Sequence, residues 1–133
     1  MAARRKQCRG FTLIELMIVI SMILILLSIA IPAYNQSIVR ARESVLKQNL
    51  FTLRSLISQY TLDKQKAPQA LDDLVQAGYM KQIPIDPMTG KADWTVDQDE
   101  DTLESVDQQD PGINDVHSAS TQIGSDGTAY NTW

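Results

Sequence analysis

Eighteen consecutive residues, Leu16–Ala33 (LMIVISMILILLSIAIPA), carry no charge, and only Ser21, Ser28 and Pro32 interrupt their apolar character. Carried back to Phe11, across Glu15, the stretch reaches 23 residues. At 1.5 Å per residue, a helix of that length spans roughly 27–35 Å, the hydrocarbon thickness of a bilayer. No soluble core of a 133-residue chain needs such a segment. Arg4, Arg5, Lys6 and Arg9 precede it with no acidic residue among them. That charge bias keeps the N-terminus cytoplasmic and sends the rest across.

The remaining charge is just as unevenly placed. Residues 92–133 contain ten acids and no Lys or Arg. A tail of that sign repels phosphate and argues against nucleic acid as a partner. Cys8 is the single cysteine, so no intramolecular disulfide is available. His117 is the single histidine and is read as a strand residue, because no nucleophile motif, phosphate loop or zinc spacing accompanies it. A cleaved secretory signal is the competing reading of the apolar run, with Ser28-Ile29-Ala30 as its small-x-small site. Two features oppose it: the run exceeds the usual ~7–15 residues, and Glu15 places a carboxylate at its mouth.

The string Arg9-Gly10-Phe11-Thr12-Leu13-Ile14-Glu15, set between a basic leader and a long apolar helix, resembles the class III signal of type IV pilins and type II secretion pseudopilins. The resemblance implies a prepilin peptidase that cuts between Gly10 and Phe11 and N-methylates Phe11. The mature chain would then hold 123 residues, with eight basic against sixteen acidic side chains. Cleavage frees a positive amine at Phe11, near Glu15 in the first helical turn. In a filament of staggered helices, the Glu15 carboxylate of one subunit can meet the amine of a neighbour. Glu15 is therefore expected to be the assembly residue. Such a pair inside an apolar bundle outweighs a surface salt bridge, and an unpaired carboxylate there is costly.

Beyond Pro32, expected to break or kink the helix locally, a 3.6-residue period runs from Asn35 to Leu62. Ile38, Ala41 and Val45, then Leu46, Leu50, Leu53, Ile57 and Tyr60, mark the apolar face. Arg40, Glu43, Lys47 and Arg54 are assigned to the opposite side. The whole helix, from Phe11 to about Leu62, would run ~75 Å. Asp63–Pro68 reads as a loop and Ala70–Tyr79 as a short helix ending at Gly78. Ile83–Gly90 is a turn-rich link to Trp94. The segment from Ala67 to Trp94 resembles the one that follows the long helix in the major pseudopilin of type II secretion. Trp94–Val96, Gly112–Ser118 and Ala129–Trp133 suggest two or three short antiparallel strands. Asp97–Asp110 carries seven acids and is expected to be a solvated loop.

The expected class is thus α+β with a type IV pilin-like fold: one long N-terminal helix packed on a short helix and a small antiparallel sheet. Its divisions are a leader (1–10), a transmembrane and assembly helix (11–34), an amphipathic half (35–62) and a periplasmic globular part (63–133). The resemblance also implies calcium in the C-terminal loop, where Ser118 and Asp126 are the candidate oxygen donors. Calcium wants six to eight oxygens, and Asp126-Gly127 reads equally as an ordinary hairpin turn. The function implied is that of a major-type pseudopilin. It would be a single-pass inner-membrane subunit, not an enzyme, polymerising through its N-terminal helices into a periplasmic filament that drives protein export. Its partners would be prepilin peptidase, the inner-membrane assembly platform and other pseudopilins. Two alternatives stand beside it: a subunit of a surface type IV pilus, and a membrane-tethered periplasmic cation-binding protein.

Overall fold

The structure, a computed structural model, describes residues 10–98 and 111–133. The basic leader and the acids from Asp99 to Asp110 lie outside the described residues. Among the described residues, four regular elements occur in chain order: α1 (Leu13–Lys64), α2 (Leu71–Gln76), β1 (Thr95–Gln98) and β2 (Ile113–His117). A single 3-10 turn, Tyr130–Thr132, follows. This is the α+β architecture anticipated from the sequence. The chain divides into two units, one ending at Ile38 and one formed by Val39–Trp133, and α1 contributes to both.

In the first unit, Thr12 starts α1. Its Oγ1 accepts the Glu15 N–H at 3.3 Å and its carbonyl accepts the Leu16 N–H at 3.2 Å, as an N-cap residue does. The helix runs through Pro32 without interruption, so the expected break does not occur. A proline removes one backbone bond, and a long helix keeps the bonds on either side. Every large apolar side chain from Phe11 to Ile31 is exposed. None of the helix's most apolar stretch is buried by the chain itself, although it is long and apolar enough to cross a membrane. Its serines cost nothing in such surroundings. Ser21 Oγ donates to Met17 O at 2.8 Å and Ser28 Oγ to Ile25 O at 2.7 Å, so both hydroxyls are satisfied within the helix.

The second unit is built on one stripe of α1. Leu46, Leu50, Leu53, Ile57 and Tyr60 are buried and recur at steps of four and three. Leu71 and Leu74 of α2, Trp94, Ile113 and Val116 of the sheet, and Tyr130 complete the core. The stripe differs from expectation at its start. Ala41 and Val45 are exposed, Ile38 is only half-buried, and Glu43 is buried in their place. Val45 lies about 100° around the helix from Leu46, off the face that the core covers.

Helix α2 is shorter than the sequence suggests, ending at Gln76, where the Tyr79 N–H returns to Leu74 O at 2.9 Å. At its start the Asp73 carboxylate accepts the N–H groups of Gln69 and Ala70 at 2.8 and 3.1 Å. Strands β1 and β2 pair antiparallel, with Thr95 opposite His117 and Val96 opposite Val116. An irregularity follows Asp97, so that Gln98 faces Ile113. The third strand reduces to one bridge between Ile123 and Ala129, after which the chain turns into Tyr130–Thr132.

Candidate functional site

Gly10 and Phe11 stand just ahead of α1, both exposed, Phe11 at 87%. A side chain at Gly10 would meet nothing within 4 Å. Packing therefore places no demand for glycine there, and any such demand comes from outside the fold. Glu15 occupies the first turn of α1, where the helix dipole favours a carboxylate. It is exposed and, among the described residues, makes no ion pair. The structure thus gathers Gly10, Phe11 and Glu15 at the open end of an unburied apolar helix.

The C-terminal candidates are placed differently. Ser118 is fully buried; its Oγ donates to Asp86 Oδ2 at 2.5 Å and accepts the Ser120 N–H at 3.1 Å. Asp126 Oδ1 accepts both the N–H and the hydroxyl of Thr128, at 2.9 and 2.7 Å. Those two Thr128 bonds hold the Asp126 carboxyl below its ordinary range. Ser125–Thr128 is a tight turn: Gly124 N–H donates to Thr128 O at 2.7 Å, and Gly127 has φ +85°. Among the described residues, no three carboxylate, histidine or cysteine side chains gather where one cation could be held. A calcium shell needs six to eight oxygens. The Ser118 hydroxyl is bonded to Asp86 and Asp126 Oδ1 to Thr128, and Ser125–Thr128 has the form of a hairpin turn.

Three buried or half-buried groups escaped the sequence reading. Glu43 accepts the Ser125 N–H at 2.7 Å, the Ser125 hydroxyl at 2.5 Å and the Tyr130 hydroxyl at 2.9 Å. The Ser125 hydroxyl is the main cause holding its carboxyl below the ordinary range, against the opposing effect of burial. Burial, and then the Glu43 carboxylate, push the Tyr130 hydroxyl up. Asp86 is fully buried and, besides Ser118, accepts the Met88 N–H at 2.7 Å.

Arg54 joins α1 to the sheet and the chain's last residue. It binds Asp115 Oδ1 at 2.5 Å, Val116 O at 2.9 Å and the Trp133 main-chain oxygen at 2.7 Å. Partial burial raises the Asp115 carboxyl, but the Val116 N–H and Arg54 outweigh it and leave that group below its ordinary range. His117 lies in β2, its Nδ1 2.6 Å from the same Trp133 oxygen. One signal for Glu43 was present in the sequence. The series 43, 46, 50, 53, 57, 60 keeps the steps of the buried stripe, so Glu43 sits in the seam.

The family described as the prokaryotic N-terminal methylation motif matches residues 5–31. The chain is 31% identical over 103 residues to the type II secretion system core protein G of Klebsiella michiganensis, covering 65% of this chain and 72% of that protein. It is 33% identical over 103 residues to the protein of the same description from Escherichia coli, covering 65% and 70%. The type IV major fimbrial protein FimA of Dichelobacter nodosus is 44% identical over 61 residues, which is 46% of this chain but only 38% of FimA. No solved structure matches.

Proposed function

The chain belongs to the family of type II secretion system core protein G, and we propose that it is the pseudopilin subunit of a periplasmic filament that drives protein export. The observation that carries this reading is the unburied apolar helix that follows Gly10-Phe11 and holds Glu15 in its first turn. Its N-terminal helix spans the bacterial inner membrane once, with Val39–Trp133 on the periplasmic side. Prepilin peptidase cuts after Gly10 and methylates Phe11, and the assembly platform adds subunits to the growing filament. The role is structural and involves no catalytic step by this chain.

Assembly follows from the same helix. Apolar side chains that this chain leaves uncovered are covered first by lipid and then, in the filament, by the helices of other copies. The Phe11 amine released by cleavage gives Glu15 a cation of matching depth. Removing one partner of a buried pair costs about 3–5 kcal/mol, so the pair selects the stagger at which each carboxylate meets an amine. The surface-pilus alternative is less fully covered, since FimA is matched over 38% of its length and the type IV major pilin PilE of Neisseria gonorrhoeae over 51%. The core protein G relatives are matched over 70% or more.

Intact-mass analysis of the protein from host membranes tests the maturation step. The expected mass is that of residues 11–133 plus one methyl group. An uncut chain, or one cut near Ala30, would contradict the proposal.

A further inference from the structure

Glu43 is 5% exposed and sits in the apolar seam of α1, directly before Leu46 and Leu50. A carboxylate in that position is unfavourable unless its oxygens are satisfied. All its partners are neutral donors from one segment more than 80 residues later: the Ser125 N–H, the Ser125 hydroxyl and the Tyr130 hydroxyl. No buried side-chain polar atom among the described residues lacks a partner. The nearby charged groups are Asp126, which opposes ionisation of Glu43, and Lys47, which acts on Asp126 and lies 4.3 Å from the Trp133 ring centre.

We propose that the C-terminal turn is fastened to α1 by the Glu43 carboxylate in place of a bound cation, so that Val39–Trp133 folds without calcium. The two ends of the turn are both held by this one group. Ser125 opens the turn and Tyr130 follows it, and the Ile123–Ala129 bridge closes its base. The backbone of the turn is closely covered at Gly124. A Cβ at Gly124 would come within 2.7 Å of the Trp133 ring and 3.0 Å of the Tyr130 ring. Those rings stack edge to face with centres 4.9 Å apart, capping the turn with apolar surface. Where a cation gathers oxygens around itself, this turn gathers two hydroxyls and an amide around an anion. The inference concerns how the unit is held together and stands whether or not the chain forms filaments.

The test is thermal unfolding of the full chain in detergent, followed by the near-ultraviolet signal of Trp94 and Trp133. Excess chelator and millimolar calcium chloride should give the same midpoint, and calorimetry with calcium chloride should show no binding heat. Tyr130→Phe and Ser125→Ala each remove a donor to an ionised acceptor and should lower the midpoint by about 6–24 °C, with no calcium dependence gained. Glu43→Ala should lower it further or prevent folding, and the two milder variants keep the test decisive in that case. A midpoint that falls with chelator or rises with calcium would overturn the proposal. So would Tyr130→Phe and Ser125→Ala variants that melt like the parent.

Discussion

Replacing Asp86 by alanine should unfold the second unit more readily than any other single polar change outside the Glu43 cluster. Its side chain is fully buried, so solvent screening does not soften the effect. Two hydrogen bonds to the carboxylate disappear, from the Ser118 hydroxyl at 2.5 Å and the Met88 N–H at 2.7 Å. Bonds to a charged acceptor contribute about 1.5–3 kcal/mol each, a gross loss of about 3–6 kcal/mol. The loss is reduced because alanine no longer holds a buried charge away from water. It is increased because the Ser118 hydroxyl, itself fully buried, loses its acceptor.

The balance is about 3 kcal/mol, a large share of the ~5–15 kcal/mol that holds a domain together. For a unit of this size that corresponds to a midpoint lower by about 12–24 °C. Asp86→Asn keeps an oxygen for one donor and should cost about half as much. The assay is thermal or urea unfolding of the full chain in detergent, read by tryptophan fluorescence. Trp94 is well placed to report, since its Nε1–H donates to Pro84 O two residues before Asp86. A double-mutant cycle with Ser118→Ala should give a coupling of at least ~1 kcal/mol. An Asp86→Ala variant within ~0.5 kcal/mol of the parent, or purely additive behaviour in the cycle, would refute the reasoning.

Two further predictions follow from the core and its charges. Leu53→Ala, at a fully buried position of the α1 stripe, should cost about 2–5 kcal/mol, measured as a shift in the same unfolding midpoint. Stability should also hold a plateau in pH. Glu43, Asp115 and Asp126 titrate lower folded than unfolded, so their contribution is complete above the ordinary carboxylate range and is lost as pH falls below about 4. Tyr79 and Tyr130 titrate higher folded than unfolded, Tyr79 because its hydroxyl bonds Asp63, so stability should fall again above about pH 10. Melting midpoints taken from pH 3 to 11 check both edges.

Local pattern carried the architecture. An uncharged run of bilayer length, a Gly-Phe-Thr mouth and a stripe at steps of three and four were enough to place α1. They were also enough to show that half of it is left uncovered. Pattern failed where contacts are remote in sequence. The side chains that tie Glu43, Asp86, Arg54 and Asp115 to other elements lie 32 or more positions away, and no period links them. Glu43 was misassigned because its charge outweighed its register. An ionisable residue is placed on the wet face by default, and only the distant Ser125 and Tyr130 make the inner face tolerable. Of the two or three strands expected, two form and the third is a single bridge. Ala129-Tyr130 has strand-like composition, but after the Gly127 turn a single bridge forms before the chain enters the 3-10 turn Tyr130–Thr132. Gly10, Phe11 and Glu15 can be named from the sequence because the features that mark them are contiguous.

The central claim is that copies of this chain associate through their uncovered helices and that Glu15 sets the register. Electron microscopy of Glu15→Ala and parent protein, overproduced in cells carrying the assembly machinery, tests it most directly. The variant should insert and mature to the same residues 11–133 as the parent, yet yield no filaments where the parent yields many. Filaments of parental number and length from Glu15→Ala would contradict the account.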